Sequence, residues 1–170
     1  MSYPIMSPEE FGRLVDEQAT PLALYARQWC GAPEDIVQEA FLKLVVQKPL
    51  PEKPVAWLYR VVRNEALNAS RSSRRRRQHE VQAGTRKSAW FLPTEGIGMD
   101  ADAATQALEL LPLEQRETIV AYLWGRLTFE EIGALTGTSS STAHRWYLAG
   151  LATLRERLEL PWPKKSPTKT

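Results

Sequence analysis

The stretch Leu127-Thr128-Phe129-Glu130-Glu131-Ile132-Gly133-Ala134-Leu135-Thr136-Gly137-Thr138-Ser139 runs directly into a second helical pattern from Ser140 to Leu158. Thr128 followed three residues later by Glu131 is the pattern of a capping box, in which each side chain takes a backbone N–H that the first helical turn leaves unpaired. A helix is therefore predicted to start at Thr128. Phe129, Ile132 and Leu135 recur at helical spacing, and Gly133 among them lets a second helix come close. Gly137 ends the helix with a positive φ, and Ser139 caps the next one. The inward stripe of that second helix reads Ala143, Trp146 or Tyr147, Leu151, Leu154 and Leu158. This spacing matches a helix-turn-helix, whose second helix lies in the DNA major groove and reads base edges with its N-terminal residues. Here those residues are Ser140, Ser141, Thr142, His144 and Arg145. An ordinary helical hairpin with a glycine turn carries the same caps, so the remainder of the chain decides between the two.

The 170 residues suffice for one ordinary domain or two small ones. Twelve prolines fall mostly at turns and helix starts, and strand-like alternation is scarce, so the expected fold is all-α. The net charge of +2 conceals an asymmetry: residues 60 to 87 hold nine Arg or Lys against Glu65 and Glu80, a balance of +7. A polyanion is the natural partner of such a segment. The single cysteine, Cys30, permits no internal disulfide, and beside Trp29 it reads as a packed thiol. No apolar run is long enough to span a bilayer or form a signal peptide, so no membrane insertion and a cytoplasmic location are expected. With only His79 and His144, no phosphate-binding glycine loop and no metal-ligand cluster, neither an enzyme, a cofactor nor a metal is expected.

Taken in order, Ser7-Pro8-Glu9-Glu10 has a cap, a proline at the first helical position and an acid at the third, which fix a helix start. Thr20-Pro21 repeats the cap-then-proline signal and predicts a second helix with Leu22, Tyr25, Ala26 and Trp29 on one side. Gly31 and Pro33 end it and begin a third over residues 34 to 47, with Ile36, Val37, Ala40, Phe41, Leu44 and Val45 as a wide buried stripe. Its other face shows Asp35, Gln38, Glu39 and Lys43, which periodicity alone reads as solvated. Lys48 to Pro54, with three prolines, is a stiff loop. A long helix from Val55 then interleaves aromatic and basic residues and runs into Arg71-Ser72-Ser73-Arg74-Arg75-Arg76-Arg77. That mixture suits single-stranded nucleic acid, where bases stack on rings and arginines track phosphates. Partial core is the alternative for Trp57 and Tyr59, and for Trp57 the two readings weigh equally.

Residues 78 to 102 lose helical periodicity and form a linker between a first domain at 7–77 and a second at 103–160, with Trp90, Phe91 and Leu92 as a short apolar patch. In the second domain, Ala107, Leu108 and Leu111 lead to Pro112, which starts a helix with Ile119, Val120, Leu123 and Trp124 inward. Residues 161–170, rich in Pro and Lys, read as a disordered tail.

Three stretches together resemble the extracytoplasmic-function group of bacterial sigma factors, within the sigma-70 family. Glu34-Asp35-Ile36-Val37-Gln38-Glu39-Ala40-Phe41-Leu42-Lys43-Leu44 resembles the family's segment that binds the clamp helices of RNA polymerase. Ala56 to Asn68, AWLYRVVRNEALN, resembles its helix that recognises and opens the minus-10 promoter element. Leu110 to Glu117, with Thr128 to Leu158, resembles its fourth region, which binds the minus-35 element. The resemblance implies two small helical domains joined by a flexible linker. It assigns Asp35, Gln38, Glu39 and Lys43 to polymerase. To single-stranded minus-10 DNA it assigns Lys48, Lys53, Trp57, Tyr59, Arg60, Arg63, Asn64, Arg71, Arg74 and Arg75. To duplex minus-35 DNA it assigns Thr128, Ser140, Ser141, Thr142, His144, Arg145 and Leu148. The loop 48–54 becomes a pocket for a base flipped out of the minus-10 strand. Core RNA polymerase and promoter DNA are the implied partners, an anti-sigma factor is a family-level expectation, and the free chain is expected to be a monomer.

Where the family usually carries lysine or arginine on the recognition helix, this chain has His144, Trp146 and Ala149, which predicts weaker intrinsic DNA affinity and a shallower salt dependence. Gly150 is expected to loosen that helix, by about 1 kcal/mol relative to alanine if exposed. A free-standing dimeric helix-turn-helix regulator is the competing reading, but it leaves the basic and acidic helices of the first half without a purpose.

Overall fold

The computed structural model describes residues 6–79 and 106–158, and among these the structure is entirely helical. α1 spans Pro8–Ala26, α2 Pro33–Val46 and α3 Pro54–His79. α4 spans Leu113–Leu123, α5 Phe129–Thr136 and α6 Ser140–Arg157, and residues 106–109 form a helical turn ahead of α4. The tail expected at 161–170 and the Trp90, Phe91 and Leu92 patch lie outside the described residues, as does the linker beyond His79 up to residue 102.

α1 begins as its sequence dictates: Ser7 Oγ accepts from Glu10 N at 3.2 Å and the Glu10 carboxylate accepts from Ser7 N at 2.9 Å. The second helix expected from Thr20-Pro21 does not exist, because α1 continues through Pro21 to Ala26. Proline forfeits one backbone hydrogen bond there, but the turn beyond it carries Leu22, Leu24, Tyr25 and Ala26 into the core, and their burial outweighs the local break. α2 and α3 pack on α1 and on each other. Val37, Ala40, Phe41 and Leu44 of α2 are buried as expected, whereas Val45 is 60% exposed, so the stripe is narrower than its periodicity implied. Cys30 is half-buried and donates to Ala26 O at 3.3 Å, a packed thiol whose pKa burial pushes up.

The second half is built around the helix-turn-helix. Thr128 and Glu131 form the reciprocal cap, at 3.2 and 2.9 Å. Gly137 takes φ +75° at the end of α5, and Ser139 Oγ accepts from Thr142 N at 3.1 Å at the start of α6. A Cβ on Gly133 would lie 2.8 Å from Thr138 O and 3.1 Å from Ser140 N, so the turn folds directly back over this residue. Tyr122, Phe129 and Tyr147 cluster with ring centroids 4.5 to 5.4 Å apart, which settles the inward aromatic of α6 as Tyr147. Gly150 is buried, contrary to its expected loosening role: a Cβ there would come within 2.6 Å of Ile119 Cδ1 and 3.2 Å of Gln115 Cβ. It is the point at which α6 closes on α4.

The two halves share one hydrophobic core. α1 meets α4 and α3 meets α5, and the buried cluster runs continuously from Leu22, Tyr25 and Tyr59 to Ile119, Val120, Leu127 and Ile132.

Candidate nucleic-acid interface

Residues Trp57, Arg60, Asn64, Arg71 and Arg75 recur at helical spacing along α3, opposite the inward row of Tyr59, Val62 and Ala66. Arg60, Asn64, Arg71, Arg74 and Arg75 are exposed, so 26 residues of one helix carry a cationic stripe that ordinary core packing does not require. Trp57 is half-buried at its upper end. There it lines a cleft of about 630 Å³ formed by Pro49, Leu50, Pro51 and Lys53 of the proline loop and by Glu130, Glu131 and Leu135 of α5. The ring face, the arginines and a stiff loop stand together, the combination a single strand needs for stacking and phosphate tracking.

Three of the residues expected on this surface behave otherwise. Tyr59 is fully buried; its ring packs 4.9 Å from that of Tyr25, and burial raises the pKa of its phenol. It is a core residue in this arrangement, because its position on α3 lies on the inward row. Arg63 is turned to the second half, where its Nε donates to Glu117 Oε1 at 2.7 Å and its Nη2 reaches Oε2 at 3.5 Å. Lys53 pairs with Glu131 Oε1 at 3.1 Å across the same seam while staying largely exposed itself, and Lys48 is exposed as well.

The Arg63 contact is part of a buried polar cluster that the sequence reading missed. Glu117 is 3% exposed, and its Oε1 also accepts from Tyr25 Oη at 2.5 Å. The guanidinium lies 5.9 Å from the Trp29 ring centroid. Burial, then the charge of Glu117 and its hydrogen bond, push the Tyr25 phenol well above its ordinary range. Burial alone would lower the Arg63 pKa, but Glu117 more than offsets it and the net direction is upward. A carboxylate taken this far out of water persists only when its charge is paired and hydrogen-bonded, as here. The sequence carried no signal of this, because Glu117 closes the polar run Glu114-Gln115-Arg116 and begins the consecutive buried residues that continue through Thr118, Ile119 and Val120.

On α2, Asp35, Gln38 and Glu39 are exposed on the face opposite Val37 and Phe41. Lys43 is drawn instead to Glu65 of α3 at 2.7 Å and reaches Glu39 at 4.0 Å, so it also ties α2 to α3. In the helix-turn-helix, Ser140, Ser141, His144, Arg145 and Leu148 are exposed along one side of α6, with Thr142 half-exposed beside them. Thr142 Oγ1 accepts from Ser139 Oγ at 3.0 Å and lies 3.5 Å from Arg145 Nη2. His144 meets the Phe129 ring edge-on at 4.9 Å. The Thr128 side chain is occupied as the cap of α5, so its service is to position that helix.

The geometry thus defines a helical nucleic-acid-binding protein with a basic helix in one half and a helix-turn-helix in the other. Residues 14–76 match the family described as Sigma-70 region 2, and residues 101–154 match Sigma-70, region 4. The chain is 30% identical over 133 residues to the RNA polymerase sigma factor CarQ of Myxococcus xanthus, covering 74% of each chain. It is 26% identical over 162 residues to the probable RNA polymerase sigma factor RfaY of Xanthomonas campestris pv. campestris, covering 88% of this chain and 40% of that relative's length. Among solved structures, the sigma factor RpoE bound to the anti-sigma factor NepR from Bartonella quintana has the same fold, with a TM-score of 0.71 at 22% identity over 91% of this chain and 99% of that one. CnrH in complex with the cytosolic domain of CnrY gives 0.57 at 22% identity, covering 90% of each chain. The chain belongs to the sigma-70 family of RNA polymerase sigma factors, in its extracytoplasmic-function group.

Proposed function

We propose that this chain is a promoter-specificity subunit that directs core RNA polymerase to particular promoters and assists strand opening without catalysing a reaction itself. The observation that carries this reading is the pairing of two distinct DNA-facing elements in one chain, the exposed N-terminal half of α6 and the exposed cationic stripe of α3. The first suits base edges in a major groove and the second a separated strand. In this reading the acidic face of Asp35, Gln38 and Glu39 meets polymerase. Lys48, Lys53, Trp57, Arg60, Arg63, Asn64, Arg71, Arg74 and Arg75 serve the minus-10 strand, and Ser140, Ser141, Thr142, His144, Arg145 and Leu148 serve the minus-35 duplex. The solved structure of RpoE bound to an anti-sigma factor makes a protein of that kind the natural negative regulator here. Run-off transcription with purified core polymerase on genomic fragments tests the proposal. Discrete transcripts that need the added chain are expected, and their absence with a folded chain that copurifies with no polymerase would overturn it.

A further inference from the structure

We propose that Leu148 makes this chain a reader of one thymine methyl group in its upstream element, at a base pair next to the one that Arg145 reads. This rests on the assignment of α6 to duplex DNA made above. The inward side of α6 is settled by Ala143 and Gly150, which are buried, and by Tyr147 and Leu154, which pack against the core. Leu148 takes no part in that packing: it is 51% exposed and stands outside the hydrophobic cluster. Ser141, Arg145, Leu148 and Ala152 follow one another at helical spacing, and all four are exposed, so the leucine lies in the same row as the arginine. Serine and alanine are short, which leaves Arg145 and Leu148 as the two side chains of that row that reach furthest from the helix. A large apolar group in such a row has no use in the free chain, where it faces water.

The chemistry of the major groove says what it meets. Guanine, cytosine and adenine present only hydrogen-bonding atoms there, whereas thymine adds a C5-methyl group. Leucine over that methyl removes apolar surface from water on both partners. Leucine over a cytosine amino group or a guanine oxygen would strip a polar atom of its water and return no hydrogen bond. The side chain therefore attracts one base and penalises the others, which is how a contact becomes selective. Arg145 and Leu148 are separated by about 4.5 Å along α6, little more than one base-pair step of about 3.4 Å, so they act on neighbouring pairs. The arginine is steadied from the first turn, where Thr142 Oγ1 lies 3.5 Å from its Nη2 and itself accepts from Ser139 Oγ. His144 meets the Phe129 ring on the side toward α5 and does not stand between the leucine and the groove. A methyl contact releases no counterions, so this mode of reading agrees with the shallow salt dependence expected of a recognition helix poor in cations.

The test uses the full chain bound to core polymerase, and duplexes that this complex selects from a pool randomised upstream of a fixed minus-10 element. Each thymine of the selected upstream element is replaced in turn by deoxyuridine, which deletes the methyl group and leaves the protein untouched. One replacement should weaken binding about fourfold, the effect of burying a single methyl group. Leu148→Ala, whose helicity circular dichroism checks, should bind the thymine duplex about fourfold more weakly than the parent chain and be indifferent to the same replacement. Leu148→Met should keep most of the difference. A selected element that tolerates deoxyuridine at every position overturns the proposal, as does a loss on deoxyuridine that is equal in the parent chain and in Leu148→Ala. Either result leaves duplex reading by α6 standing, whereas a pool in which no upstream sequence is enriched defeats that assignment and this inference together.

Discussion

At the scale of single residues, three side chains carry measurable consequences. Arg145 is the one arginine on the exposed N-terminal part of α6. Arg145→Ala should cost about 1 to 3 kcal/mol of duplex binding and relax preference at one base pair if it forks onto a guanine, as a binding-site selection would register. A uniform loss over all sequences would make it a phosphate contact instead. Gly150→Ala brings a methyl group against Ile119 in a filled core, where overpacking of about 1 to 3 kcal/mol exceeds the gain of about 1 kcal/mol in helix propensity. A lower melting temperature is expected, and a higher one would show that Ile119 can turn aside. Tyr25 supplies a pH signature. Glu117, Arg63, Tyr59 and Trp29 surround it, and its raised folded pKa means that the native state keeps its proton where the unfolded chain, titrating near 10, has begun to lose it. The stability it contributes is whole below pH 10 and is lost as pH rises beyond that. Denaturant midpoints between pH 8 and 11 should therefore fall less steeply in Tyr25→Phe than in the parent chain. An equal slope would discount this phenol.

At the scale of elements, what a sequence discloses depends on whether the cause is local. The caps at Ser7, Thr128 and Ser139, and the positive φ of Gly137, are satisfied within three or four residues, and all four were readable from spacing. Pro21 misled because its local signal is opposed by the burial of residues that follow it, a fact held in the packing of α1 on α2 and α3. Gly150 misled for the same reason, since its neighbour Ile119 is 31 positions away in the chain. The exposed acids of α2 were legible as a face, but only the resemblance gave that face a partner. Reversing Asp35 and Glu39 to lysine should abolish core polymerase binding in a pull-down while leaving helicity and melting nearly unchanged, because both sites are exposed. Retained binding by the folded double variant would remove this face from the interface.

At the scale of the whole molecule, the docking of the two halves was not legible in the sequence. Each contact across the seam joins residues with no pattern between them: Tyr25 and Glu117 stand 92 positions apart, Arg63 and Glu117 54. Because the core runs through both halves, heating should unfold the free chain in one calorimetric transition, with the van't Hoff and calorimetric enthalpies equal. Two resolved transitions would mean that each half stands alone and that their contact adds little.

Those 92 positions also have a meaning in time. At about 5 to 20 residues per second, a ribosome that has made Tyr25 needs roughly 5 to 20 s more to make Glu117. For that interval Arg63, once made, has no carboxylate from the second half to hold it, and Tyr25 and Tyr59 have nothing from α4 to cover them. Every copy of this chain accordingly spends that interval with the inner face of its first half uncovered. Ribosome-bound chains arrested ahead of Glu117 should therefore leave the Tyr59 ring open to chemical modification that the released full chain resists, and equal modification would show that the second half does not cover it.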